Sequence, residues 1–136
     1  MASIYREIEI RAAPAAVWAA MRDVGSIHER LVKGFVVACE LKGDVRHLTF
    51  ANGLVASERI ITVDDQARRV AWSASGGRLA HHNASSQVFE VSPAVSRVVW
   101  VCDLLPDDLA PAIDSMIQAG LAAMKRTLEG AKPGNM

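Results

Sequence analysis

The sequence has no charge imbalance, almost no cysteine, no long apolar run and none of the common catalytic signatures, and each absence removes a class of function. Fifteen basic against fifteen acidic side chains in 136 residues leave a net charge of zero, so no overall field draws nucleic acid or an anionic membrane. Cys39 and Cys102 are the two cysteines, with no CxxC and no zinc-type His/Cys spacing. They read as small buried hydrophobes of a reducing compartment, and neither a metal nor another cofactor is expected. No run of about 18 consecutive apolar residues occurs, so no integral membrane segment is expected. The start, MASIYREIEIR, alternates apolar and charged residues where a signal peptide would build an apolar core, which predicts a cytoplasmic protein. GxSxG, a phosphate-cradling glycine loop and HExxH are missing as well, and with them the support for common nucleophile, nucleotide and zinc-hydrolase chemistries.

What is present is a hydrophobic content of 51% in a chain of single-domain size, enough to bury a core. One domain is predicted over residues 1–130, with 131–136 as a frayed tail. Ile4 to Ile10 alternate in the period of a half-buried strand. Pro14 opens a short amphipathic helix carrying Val17, Trp18 and Met21, and Ser26 with Glu29 has capping-box spacing for a second helix to Val32. Six strands follow: 35–41, 45–50, 54–63, 69–75, 81–91 and 96–104. They are separated by the turn formers Lys42-Gly43-Asp44, Asn52-Gly53, Asp64-Asp65-Gln66, Gly76-Gly77 and Ser92-Pro93. Short connections make these an antiparallel meander. After Pro106 and the capping candidates Asp107 and Asp108, the residues Ile113, Met116, Ile117, Gly120, Leu121, Met124 and Leu128 recur at steps of three and four, the stripe of one long helix. The expected fold class is α+β: a curved antiparallel sheet of seven strands around a long C-terminal helix, with two short helices between the first two strands. The space between sheet and helix is then either packed core or ligand cavity.

This element order, with PAAVW opening the first helix, resembles the START-like or helix-grip superfamily, which includes polyketide cyclase/dehydrase-like proteins and the plant abscisic-acid receptors. NGLVASER at 52–59 resembles the receptors' gate loop (S-G-L-P-A, then T-S-x-E-R), and GGRLAHHN at 76–83 resembles their latch (G-G-x-H-R-L-x-N-Y). By that resemblance Gly53, Leu54, Val55 and Ala56 form a gate over a cavity mouth, and Arg78 and Leu79 the latch. KGFVVAC at 33–39 is similar to K-P-F-I-S-R-C, which places Lys33 where the receptors' lysine meets a carboxylate. Glu58 matches the gate glutamate; His82, Val99 and Met124 fall on polar lining positions held there by tyrosine, glutamate and asparagine. Val55 in place of the gate proline, and the missing histidine before Arg78, speak against the receptors' phosphatase-docking signalling. The more apolar lining speaks against abscisic acid itself.

Two readings stand beside each candidate. Lys33 is a desolvated cavity cation that attracts a carboxylate or enolate, or an ordinary solvated lysine after a helix. Period two sends His81 and His82 to opposite faces, which disfavours a metal site on this pair and lets one look inward as hydrogen-bond partner or proton carrier, or pack at the rim. Glu58 and Arg59 divide in the same way. The stripe Ile117, Gly120, Leu121 and Met124 is cavity wall or plain core, and Gly120 in a helix interior signals close approach or room. The three tryptophans read as structural. The expected partner is a small, mostly hydrophobic ligand held in a gated cavity by a carrier or sensor. The alternative is a cyclase- or dehydratase-like enzyme with His82 and Lys33 as its candidate catalytic residues. A protein acting through its surface, as a homodimer for example, is the third option.

Overall fold

The computed structural model describes residues 1–130; the expected tail 131–136 lies outside the described residues. Strand β1 (Ala2–Ile10) leads into α1 (Pro14–Arg22) and the single-turn α2 (Ile27–Arg30). The strands β2 (Val36–Lys42), β3 (Val45–Phe50), β4 (Val55–Asp64), β5 (Arg69–Ser75), β6 (His81–Ser92) and β7 (Val95–Leu105) follow, and a short 3-10 turn (Asp107–Leu109) runs into α3 (Ala110–Gly130). The seven strands form one antiparallel sheet in the order β1-β7-β6-β5-β4-β3-β2. This is the α+β helix-grip arrangement that the sequence predicts. No helix among the described residues is long and apolar enough to cross a membrane.

Register breaks at Val36/Ala38, Ile60/Thr62 and Glu90/Ser92 bend the sheet, since an extra residue on one strand increases local twist and kinks the ladder. The concave face this produces carries the in-phase residues Leu48 and Phe50 on β3, Val70 and Trp72 on β5, Ala84 and Val88 on β6, and Val98, Cys102 and Leu104 on β7, all buried. Alternation in these strands is the direct cause: every second side chain points inward, and most of these are apolar.

The helix α3 is not centred on that face. Its main strand neighbour is β1, to which it is clipped at both ends. Near its start the Arg6 guanidinium donates two 2.8 Å bonds to the Asp114 carboxylate. Near its end Glu129 accepts the Arg11 backbone N–H at 2.9 Å and the Lys125 ammonium at 2.6 Å, and Lys125 also donates to the Glu9 carbonyl. A helix held over one flank of a bent sheet leaves room over the other strands.

Two local expectations, both of helix capping, fail. Ser26 stands before α2 but makes no side-chain cap, and its φ/ψ of −125°/25° is outside the extended region that an N-cap serine needs. The turn closed by the Ser26 N–H to the Asp23 carbonyl imposes that conformation. Glu29 instead lies 3.4 Å from the His28 ring. Asp107 and Asp108 likewise do not cap; they pair with the N-terminal ammonium and with Arg78.

Candidate functional site

Between the concave face and α3 is a cavity of about 290 Å³. Its far end is closed by Met21 of α1 and by Ile27 and Leu31, its wall over α3 by Ile113, Met116, Ile117 and Met124. Two edge-to-face aromatic pairs frame it: Phe35–Phe50 with centroids 5.3 Å apart and Trp72–Trp100 at 5.6 Å. The polar lining side chains are Arg46, Glu58, Ser75, His82 and Ser86. Such a space, apolar with a few convergent polar groups, has the general form of a small-molecule site, at the small end of the usual range.

The mouth is formed by the β3–β4 and β5–β6 connections. In the first, Asn52 accepts the Leu54 N–H on its side-chain oxygen, Gly53 takes a φ of 90°, and the Gly53 N–H bonds the Phe50 carbonyl. That tight turn leaves Leu54 58% and Val55 76% exposed while both still line the cavity. In the second, Gly76 and Gly77 both adopt positive φ, which permits the sharp reversal that brings Leu79 into the lining. Leu54 and Leu79 thus belong to one cavity rim.

Deep in the wall, Arg46 and Glu58 face each other across β3 and β4. The Arg46 Nε–H donates to Glu58 Oε1 at 2.8 Å, with side-chain exposures of 6% and 12%. Arg46 Nη1 reaches the Val24 carbonyl at 3.4 Å, and the guanidinium lies 5.3 Å from the centroid of the Trp72 ring. The cation is therefore engaged on three sides. Breaking such a pair by removing one partner typically costs about 3–5 kcal/mol, because the other charge is left buried.

His82 occupies a gap in the sheet. The β5–β6 ladder runs from Arg69↔Gln87 to Trp72↔Ala84. Beyond it the Ala74 N–H donates to the His82 ring at Nδ1, 2.9 Å, and the Ser73 hydroxyl donates to the His82 carbonyl. Burial, and secondarily the neighbouring His81, hold the His82 pKa below its usual value, so the ring is neutral at pH 7. With Nδ1 accepting, its proton is on Nε2.

The other residues singled out from the sequence lie apart from this lining. Lys33 is on the outer surface beside Arg30 and Arg126, its backbone N–H bonded to Thr127 Oγ1 at 3.1 Å. The chain turns inward only after Gly34, at a φ of 81°, so Phe35 rather than Lys33 reaches the cavity. Arg78 pairs outside with Asp108 at 2.8 Å. Leu121 is buried in the core, and Gly120 packs where a Cβ would stand 2.9 Å from the Trp100 ring and 3.3 Å from Phe35. Val99 alternates with the cavity-facing Trp100 and so takes the opposite face of β7. The residues brought together are Leu54, Val55, Ala56, Glu58, Leu79, His82, Ile117 and Met124.

Sequence reasoning missed Arg46 and Ser86, along with the part Trp72 and Trp100 play as wall. The signal was phase: Arg46 is in phase with Leu48 and Phe50, and Ser86 with Ala84 and Val88, so each is a polar residue on an apolar strand face.

The structure is similar to that of an uncharacterised protein from Bacillus thuringiensis (TM-score 0.83, 20% identity, covering 93% of this chain and 98% of that one). It is also similar to the Zhui aromatase/cyclase from Streptomyces (TM-score 0.81, 14% identity, 98% and 96% covered). A START superfamily protein from Mycobacterium smegmatis superposes with a TM-score of 0.71 at 11% identity, with 94% of each chain covered. Identities this low speak for the shared fold. No curated protein matches the chain in sequence. The family model described as polyketide cyclase/dehydrase and lipid transport matches residues 1–129, and by that match over nearly its whole length the chain belongs to the polyketide cyclase/dehydrase and lipid-transport family.

Proposed function

We propose that the protein binds one small, mostly apolar molecule in the cavity between sheet and α3, as a carrier or sensor. The observation that carries this reading is the 290 Å³ of apolar-walled space that α3 leaves open, rimmed by exposed Leu54 and Val55. At about 30 Å³ per water, the space would hold roughly ten waters or a ligand on the order of ten to fifteen non-hydrogen atoms. Apolar walls supply affinity, and Met116 and Met124 adapt to varied shapes. Native mass spectrometry with displacement of a lipophilic dye tests the reading. A dye bound one to one and lost in Met116→Trp, which fills the space, is expected; no binding at all, or binding untouched by the filling variant, contradicts it.

A second reading is an enzyme of the cyclase or dehydratase kind, favoured by the His82 ring in the lining. With Nδ1 occupied by the Ala74 N–H, Nε2–H can donate to a substrate carbonyl and stabilise a developing enolate, so His82 is suited to polarise rather than to abstract. Lys33, on the outer surface, has no part in this version. Turnover of small polyketones that survives His82→Ala would refute this role for His82, and no turnover of any of them by the wild-type protein would contradict the reading itself.

A further inference from the structure

The two charged side chains of the cavity lining are one cation and one anion, and they are bonded to each other. An entering carboxylate would find the Arg46 Nε–H already given to Glu58, Nη1 turned toward the Val24 carbonyl and one guanidinium face near Trp72. The Nε–H edge of the guanidinium is thereby taken, and the Glu58 carboxylate already compensates the charge that a second anion would need. A carboxylate would lose its hydration without gaining an uncompensated cation, and a buried anion whose charge is not balanced is strongly disfavoured. An uncharged ligand loses far less on entry. It still finds the His82 Nε2–H and the hydroxyl of buried Ser86, on the same inward face of β6, to meet a carbonyl or hydroxyl.

We infer that the cavity selects uncharged apolar molecules bearing a carbonyl or hydroxyl group over carboxylates of the same shape, and that Glu58 is the residue that sets this preference by cancelling Arg46. The inference rests on the binding reading above and adds the class of ligand. It also implies a latent opposite specificity: with Glu58 made neutral, Arg46 becomes a free buried cation, and the same cavity should take acids.

The test compares 2-acetylnaphthalene with 2-naphthoic acid, which share shape and size, by displacement of a lipophilic dye at neutral pH. Wild-type protein should prefer the ketone by at least about ten-fold, a difference of about 1.4 kcal/mol. Glu58→Gln should reverse or abolish that preference. Arg46→Met with Glu58→Gln, which removes both charges, should restore it; it also keeps the test decisive if Glu58→Gln alone does not fold. Equal or tighter wild-type binding of the acid would overturn the inference, as would an unchanged ratio in a folded Glu58→Gln protein. A double variant that rejects the acid far more strongly than wild type would do the same, since Arg46 would then be serving acids already. If the dye binds and neither probe displaces it, the assigned class is wrong. If no dye binds, the cavity reading fails instead.

Discussion

At the scale of single residues, Gly120 and Arg46 do the most to set the site. A methyl at Gly120 would press on the Trp100 and Phe35 rings, which are cavity wall. Alanine gains about 1 kcal/mol of helix propensity over glycine, yet overpacking a core typically costs about 1–3 kcal/mol, and a contact at 2.9 Å to a ring edge must move that ring. Gly120→Ala is therefore expected to lower the urea midpoint and weaken dye binding together. A rise in stability with unchanged binding would show that Trp100 yields freely. Arg46→Met alone should lose about 3–5 kcal/mol in urea unfolding, and the double change with Glu58→Gln much less, because only the single variant strands a buried charge. Arg46 and its pairing with Glu58 were not found from sequence. Each residue looks like an ordinary strand charge until register places residues 46 and 58, on different strands, opposite one another. Glu58 was singled out by resemblance to a gate; its actual partner required the pairing.

At the scale of elements, the strands and their turns were legible nearly residue by residue, because alternation and turn-forming pairs such as Asn52-Gly53 are local signals. The single turn of α2 was less so, since the Ser26/Glu29 spacing cannot report the backbone turn that removes serine from its capping geometry. The clip between α3 and β1 carries a pH dependence. The Arg11 N–H, then Lys125, hold the Glu129 carboxyl well down, to about 2. A lowered native pKa gives stability that is complete above the ordinary value of 4.5 and drains as pH falls toward 2. Urea unfolding followed between pH 5 and about 2.5 should show part of that loss, and Glu129→Gln should flatten it; an identical slope in the variant would contradict the clip. The β5–β6 gap titrates in the other range. His82, with its pKa lowered from 6.5, gives up its acceptor once protonated, so the link to the Ala74 N–H weakens as pH falls. Amide exchange should show Ala74 losing protection, relative to its intrinsic rate, as pH falls below the ordinary histidine value of 6.5. The same pH dependence of Ala74 protection in His82→Ala would remove His82 from that role.

At the scale of the whole molecule, layout was readable and content was not. The order of strands and helices, with the stripe on α3, was enough to expect a sheet wrapped on a helix, and the family match agrees. Whether the space between them is filled depends on where α3 is clipped and how far the bulges bend the sheet, and neither quantity is written in any local pattern. The central claim of the proposed function is that the charge-compensated, apolar-walled cavity takes up a ligand. It is tested most directly by titrating 2-acetylnaphthalene into protein carrying 13C-labelled methionine, isoleucine and leucine methyl groups. The predicted result is saturable one-to-one shifts concentrated on Met116, Ile117, Met124 and Leu54, with Ile61 on the outer face unmoved. Shifts spread over the surface, or none at saturating ligand, would show the interior to be closed core.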